Sequence, residues 1–568
     1  MTSRKTSTVA AGAIIFSVGM LMSRLLGLVR DNLLLQTFGN TDVTGAYKLA
    51  FMIPDLFYYL LAGGAMSAAF IPVFTSYLSK GEDEEAHRVG STIATLLLIA
   101  MSICVVICMI FAPQLLHLIP SSHQFTPEAF NLTVSLTRVM CVMLIFTAQS
   151  GHLTGILNSY KHFLAPVVVW NVYVLCTLLG ITVFTKMSIF GGSPQHPSIY
   201  GVAYSVVLAA FMLAAIQFPV AIKYGFRFSF AIDLAHEGVR RVFKLFAPVM
   251  FSLALSQVNI LMIPLVMGAV FGLAAVTDIS NANKIVMVPF SLFAAAIGTA
   301  VFPTLAQQVA IGQTREFRET LNKSVKIILM LSIPSAVGMT VLAKPISCLL
   351  YGGGRFGMPG VHATAYVLGL FAWAVLGLGV AQVVNRAFYS LHNTRTPTIV
   401  SVAMVAGNFA FSWYLAKYSG FQYGSVAIAT TITSTISTLV LIELLRRRLG
   451  GINGRALVLM TGKVLLASAL MGIVLYYTAS LLAPSILGER LLPTFNWVPP
   501  YLPFSVANLP ETLLIVPRLA LILQVGLSMT LGIAAYLGML KLLKVEELSI
   551  ITDRLLRKVR KTRPPATV

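Results

Sequence analysis

The sequence predicts an all-α polytopic membrane protein of about fourteen transmembrane helices, built as two parallel six-helix repeats plus two C-terminal helices. Three observations carry that prediction. Hydrophobic residues make up 57% of the 568 and charged residues only 10%, against roughly 25% charged in a soluble globular chain. Apolar runs of about the twenty residues that span a bilayer recur along the whole length, continuous rather than alternating, which favours helices over a barrel. The second half of the chain also repeats the first at a fixed spacing.

Taken in order, the first span covers about residues 10–38. Arg4 and Lys5 ahead of "VAAGAIIFSVGM" imitate a signal peptide, but no small-residue cleavage pattern follows and the run continues through Arg24. Spans follow at about 46–78, 91–113, 131–157, 164–185 and 198–222. A second set lies at about 242–268, 276–306, 324–350, 363–391, 397–416 and 422–445, and two more at 458–484 and 515–543. The acidic stretch "SKGEDEEAHRVG" from Ser79 reads as a solvated linker, and the glycine-rich "YGGGRFG" from Tyr351 as a flexible outer turn or gate hinge rather than a phosphate cradle.

Lysine and arginine gather in alternate loops, at 223–244, 307–326 and 446–463 and in the tail "DRLLRKVRKTR", which sets both termini in the cytoplasm. The net charge of +21 lies mostly there, beside anionic membrane lipids, and calls for no nucleic acid. The five cysteines fall in or beside apolar spans without histidine or acidic partners at metal spacing, so they read as small buried hydrophobes. No Walker motif, GxGxxG element or metal cluster appears, and no cofactor is expected.

The repeat keeps one constant offset. Pro72 returns as Pro303, Ser159 as Ser390 and Pro166 as Pro397, while Pro54 and Pro289 match with a slip of four. Six helices per copy is an even number, so both copies share one orientation. Parallel repeats of this kind place a substrate near mid-membrane and work by alternating access, although a channel or a structural bundle can also be duplicated. The expected division is a lobe at 1–227, a lobe at 228–449, a C-terminal pair at 450–545 and a basic tail at 546–568.

Six basic residues remain inside the spans: Arg24, Arg30, Lys48, Arg138, Lys284 and Arg386. Each charge at mid-bilayer costs about 2.5–3.5 kcal/mol on insertion scales, so each is expected to face a cavity, a partner or the interface. Arg24 lies too deep to reach the interface, whereas Lys48 and Arg138 can snorkel to it. Ser17, Arg24 and Asp31 share one helix face, and Lys48 and Asp55 share another, each pair of charges seven residues apart. Excess positive charge in a cavity suits an anionic substrate, and arginine's fork matches phosphate oxygens. With two helices beyond the duplicated core, the composition points to an amphiphile carrying phosphate.

The stretch "SRLLGLVRD", then "AFMIPDLFYYLLAGGAMSAAFIPVF", "ILNSYKHF" and "AFYSLHNTRTPT", resembles the MurJ (MviN) family of lipid II flippases, within the multidrug/oligosaccharidyl-lipid/polysaccharide exporter superfamily. The likeness covers essentially the whole chain. It implies a transporter, not an enzyme, of a bacterial inner membrane, moving undecaprenyl-diphosphate-linked peptidoglycan precursor to the outer leaflet. It implies that Ser23, Arg24, Arg30 and Asp31 meet the diphosphate with Lys284, and that the last two helices line a groove for the polyprenyl tail. Gly45, Tyr58, Gly63 and Asn283 stand where members of the family carry charged residues, so Tyr58 and Asn283 join Ser17, Lys48 and Asp55 as cavity or gate positions. Membrane potential or a counter-ion would drive transport, and cell-wall synthases or division proteins are possible partners. The alternatives are a flippase for another polyprenyl-diphosphate-linked glycan and a non-transporting cell-wall scaffold. A drug exporter or a membrane glycosyltransferase fits less well, since acids are few and unpaired.

Overall fold

The computed structural model describes residues 22–23, 26–61, 65–117, 125–160, 162, 164–230, 232–246, 270–391, 393–451, 454–483, 485–486, 489–490, 518–545 and 547. Apart from a two-residue antiparallel pair, Ser485–Ile486 with Glu489–Arg490, the regular structure of these residues is helical. By packing, the chain forms two compact units: Met1–Thr277 with Gly354–Phe356, and Asp278–Gly353 with Gly357–Val568.

The first unit contains α1 (26–38), α2 (Asp42–Leu61), α3 (Ala65–Lys80), α4 (Asp83–His117), α5 (Pro127–Cys141), α6 (Met143–Ser159), α7 (Leu164–Thr182), α8 (Ile199–Lys223) and α9 (237–246). The second contains α10 (Leu273–Pro289, from Asp278 onward), a π-turn at Phe290–Ala295, α11 (Ala296–Ala310), α12 (Thr314–Val341), α13 (Ala343–Tyr351) and α14 (Met358–Phe371). It continues with α15 (Ala374–Ser390), α16 (Arg395–Tyr418), α17 (Gly424–Leu449), α18 (Gly454–Leu481) and α19 (Arg518–Leu542).

Helix boundaries recur at the repeat spacing. α4 begins at Asp83 and α12 at Thr314; α6 ends at Ser159 and α15 at Ser390; α7 begins at Leu164 and α16 at Arg395. Each of these pairs keeps the offset that separates Pro72 from Pro303. The duplication read in the sequence is therefore carried by the backbone.

Among the described residues, ten helices are long and apolar enough to cross a membrane, and α14 with α15, bent by 45°, makes an eleventh. They correspond to the third to sixth and eighth to fourteenth expected spans. The first and seventh lie partly outside the described residues, and the second is divided between α2 and α3 around 62–64, so these residues do not establish a count of fourteen. The basic tail at 546–568 also lies outside them, save Glu547.

The acidic linker is corrected. Asp83, Glu84 and Glu85 form the first turn of α4, where carboxylates offset the positive end of the helix dipole. Glu85 pairs with His236 at 2.6 Å and Arg88 with Asp233 at 2.7 Å, which pins the segment after α8 against α4.

Separate apolar clusters hold each unit together. Phe70, Phe74, Ile93, Met101 and Phe226 interlock α3 and α4 with the chain after α8. In the second unit Phe317, Ile328, Val383 and Phe388 join α12 to α15, while Met330, Val464, Met471 and Leu540 join α12, α18 and α19. Lipid gives apolar side chains little reason to leave it, so close backbone approach matters more. At Gly377 of α15 a Cβ would lie 2.7 Å from the Ser434 backbone of α17, and the Thr438 hydroxyl donates to the Gly377 carbonyl at 2.7 Å.

The bend between α14 and α15 contains no proline. Thr340 donates to the Gly369 carbonyl at 3.1 Å and Thr431 to that of Leu370 at 3.3 Å, satisfying backbone groups near the break from neighbouring helices. After Pro289, which supplies no N–H, the widened π-turn lets the chain pass into α11.

Candidate functional site

The charged residues of the first unit are placed by α1, α2 and α7. Leu34 and Phe38 bury against Ala50, Leu136 and Val202, and Leu26 packs beside Val169, Tyr173 and Leu213. These contacts fix the rotation of α1 and put Arg30 within electrostatic reach of Tyr47 on α2 and Tyr173 on α7.

Arg30 donates to one oxygen of Asp31, from Nη2 at 2.9 Å and from Nε at 3.1 Å. The Arg30 side chain keeps 27% of its surface exposed while that of Asp31 keeps 9%. Adjacent helix positions point about 100° apart, and the length of arginine closes that gap. Two of the five guanidinium donors are engaged by the carboxylate, which orients the fork and makes the pair neutral. Arg24, the other arginine expected in the first span, lies outside the described residues, as does Ser17. Ser23 is half-buried ahead of α1.

Lys48 follows Tyr47 on α2, and its ammonium donates to the Thr277 carbonyl at 3.4 Å. Asp55, seven residues on and half-buried, acts electrostatically on Tyr173. Arg30, Asp31, Tyr47, Tyr173 and Asp55 thus form one polar neighbourhood among apolar helices. Tyr58 lies within α2, but its side chain is outside the described set. Sequence reasoning passed over Tyr47 and Tyr173; the available signal was a hydroxyl on an aromatic inside an apolar run, which needs a polar neighbour in lipid.

The second unit places Asn283 and Lys284 half-buried on α10. The same helix buries Asp278, whose carboxylate accepts from the Thr364 hydroxyl at 3.0 Å, and Asn281, whose carbonyl accepts from the Tyr351 hydroxyl at 3.3 Å. Tyr423 is near enough to Asp278 to feel its charge. The sequence presents Asp278 as one of several isolated outer acids; its place in a polar lock depends on helices far along the chain.

Arg138 is exposed and donates to the Met109 carbonyl at 2.9 Å, and Arg386 lies 5.5 Å over the Phe302 ring. The glycine-rich turn packs on the end of α1, with the Arg355 N–H donating to the Gln36 carbonyl at 2.9 Å. Gly39 adopts φ +73°, and a Cβ there would meet the Arg355 carbonyl at 2.9 Å. Among the described residues no cluster of three His, Cys, Asp or Glu side chains is arranged to hold a metal, and all five cysteines are free thiols.

Solved structures similar to this chain include one titled lipid II flippase MurJ, inward closed conformation, with a TM-score of 0.72 at 21% identity. That match covers 96% of this chain and all of the other. An inward-facing multidrug resistance MATE family transporter of the MOP superfamily matches with a TM-score of 0.65 at 13% identity, over 77% of this chain and 98% of its own. These likenesses establish the fold. Among sequences, the probable lipid II flippase MurJ of Bdellovibrio bacteriovorus is 28% identical over 496 residues, covering 86% of this chain and 91% of its own length. The lipid II flippase MurJ of Burkholderia cenocepacia is 24% identical over 432 residues, covering 75% of this chain and 82% of its own. Residues 34–494 match the family described as lipid II flippase MurJ. With most of the chain inside that match and the helical fold in agreement, the protein belongs to the MurJ family of lipid II flippases, which are transporters and not enzymes.

Proposed function

We propose that this chain carries lipid II from the cytoplasmic to the outer leaflet of the bacterial inner membrane by alternating access, with both termini in the cytoplasm. Family membership over residues 34–494 is the observation that carries this reading. The oriented guanidinium of Arg30 adds a contact suited to its diphosphate. Asp31 presets the fork; an arriving diphosphate competes for its donors with two phosphate groups, and Arg24 supplies the positive charge that Asp31 removes from Arg30. Tyr47 and Tyr173 offer hydroxyls beside the same fork, and Lys284 on α10 is the further basic residue assigned to the substrate by the family resemblance. α18 and α19 serve the polyprenyl tail. The membrane potential, about 2.3 kcal/mol per charge per 100 mV, or a counter-ion drives the cycle. Docking to cell-wall synthases or division proteins belongs to the same reading.

The departures at Gly45, Tyr58, Gly63 and Asn283 favour, as second reading, a different polyprenyl-diphosphate-linked glycan. One experiment separates the two. Bacteria depleted of their own lipid II flippase are complemented with wild type, Arg24→Ala or Arg30→Ala, and outer-leaflet lipid II is measured by its cleavage with an externally added enzyme. Exposure with wild type and its loss in well-expressed arginine variants supports substrate and contact together. Exposure that survives both substitutions removes the arginines from the mechanism. No exposure with well-expressed wild type rejects lipid II and leaves the other glycan.

A further inference from the structure

At one end of the second unit α12, α18 and the cap of α19 frame a half-open pocket of about 180 Å³ lined by Lys326, Met460, Lys463, Lys544, Val545 and Glu547. The volume is that of about six waters at liquid density. Three ammonium groups and one carboxylate give it a net charge near +2. By the distribution of basic loops, this end belongs to the cytoplasmic surface.

Two of the lysines are held in place by the protein. Lys326 pairs with Glu547 at 2.8 Å, and Lys463 donates to the Leu543 carbonyl at 2.8 Å. The third is placed by the backbone. α19 ends in a Schellman turn, with the Val545 N–H bonded to the Leu540 carbonyl at 3.1 Å and the Lys544 N–H to that of Lys541 at 3.2 Å. The residue between these bonds, Lys544, has φ +49°, the left-handed position that glycine normally fills. As a cap, lysine there gains only the modest attraction of its charge to the helix dipole, against the strain of a left-handed conformation. The same residue also gives the pocket its third ammonium.

We infer that this pocket binds a phosphate oxyanion at the membrane surface, with the phosphodiester of an anionic phospholipid or free phosphate as its source. Basic pockets between membrane helices on the cytoplasmic side suit such groups. The reading is independent of the transported substrate.

The test uses the full-length protein in detergent, with thermal unfolding followed during titration with short-chain phosphatidylglycerol, short-chain phosphatidylcholine or inorganic phosphate, each ligand's affinity taken from the stabilisation it produces. Phosphatidylglycerol is expected to stabilise wild type and phosphatidylcholine not to. Lys544→Gln and Lys463→Gln should each weaken the affinity about fivefold, while Lys323→Gln, exposed and outside the lining, should leave it unchanged. Glu547→Gln removes the opposing charge and should tighten binding several-fold, an effect that a purely structural Lys326–Glu547 clamp does not produce. Inorganic phosphate binding as tightly as the lipid, with the same lysine dependence, supports the site and names the free anion as its source. Equal affinity for both lipids, or lysine variants that bind phosphatidylglycerol as wild type does, overturns the proposal.

Discussion

The two copies of the repeat share helix boundaries but not residue chemistry, and α6 with α15 makes the contrast plain. Position 146 of α6 is Phe, its ring edge-on to Phe211 of α8 with centroids 5.3 Å apart. Its counterpart at the repeat offset is Gly377 of α15, which lets α17 approach to backbone contact. One copy joins its helices through large rings and the other through a missing side chain. The charges differ in the same way. Arg30 and Asp31 in the first copy correspond to Leu261 and Met262 in the second, positions outside the described residues. Duplication copied the backbone pattern, which is fixed by long apolar runs and their interruptions. A charge in lipid is costly, and each of these stands in one copy without a charged counterpart: Arg30 and Asp31 in the first, Lys284 and Arg386 in the second, opposite Ile53 and Gly155.

Exchanging the seam residues is the severest way to break this comparison. Gly377→Phe should cost about 3 kcal/mol or more, because even a Cβ at that position overlaps the Ser434 backbone. Phe146→Gly should cost about 1–2 kcal/mol, from the lost ring pair and glycine's poor helix propensity. Thermal unfolding of the purified variants measures both. Equal costs in the two directions would mean that the seams are interchangeable and that the contrast has no energetic content.

The charges are the next test. Arg30→Ala should reduce lipid II exposure about 10- to 100-fold, the worth of a charge-assisted contact. Arg30→Lys keeps the charge without the fork and should fall between. Asp31→Asn keeps the cation but loosens its orientation, so a smaller loss of transport is expected at wild-type expression. If Asp31→Asn proves as damaging as Arg30→Ala, the pair acts as a structural unit and the fork is not the substrate contact.

Much of this was legible in the sequence because lipid imposes a strong constraint: apolar runs of sufficient length must be helices, and prolines and serines that match at one constant offset announce the duplication. Three things were not. The acids from Asp83 looked like solvated linker, since composition alone does not reveal that they begin α4 rather than precede it. The bond from Arg30 to its neighbour Asp31 was not foreseen, because helical periodicity groups residues seven apart and the reach of a guanidinium is not a property of Cα spacing. The bend at 371–374 has no proline, and the threonines that support it come from other helices. Sequence periodicity reports which face a residue is on; it does not report which distant carbonyl a side chain will find.

The smallest expected effect tests the finest correspondence between the copies. In the second unit Thr340 of α12 donates to the Gly369 carbonyl of α14 at 3.1 Å. The repeat offset carries these two positions back to Met109 of α4 and Arg138 of α5, and these too are bonded, at 2.9 Å, with the donor on the other helix. The link has been kept while its direction has reversed. Thr340→Val should cost only about 0.6 kcal/mol, the average for side-chain hydrogen bonds between membrane helices, because the hydroxyl also bonds the Ala336 carbonyl of its own helix. Arg138→Leu should cost slightly more, since the guanidinium bond is charge-assisted, though its exposure limits the difference. A Thr340→Val/Arg138→Leu double variant should lose the sum of the single costs, because each link belongs to its own compact unit. A clear departure from additivity, read from unfolding midpoints of the four proteins, would couple the two links and show that the two units do not unfold independently.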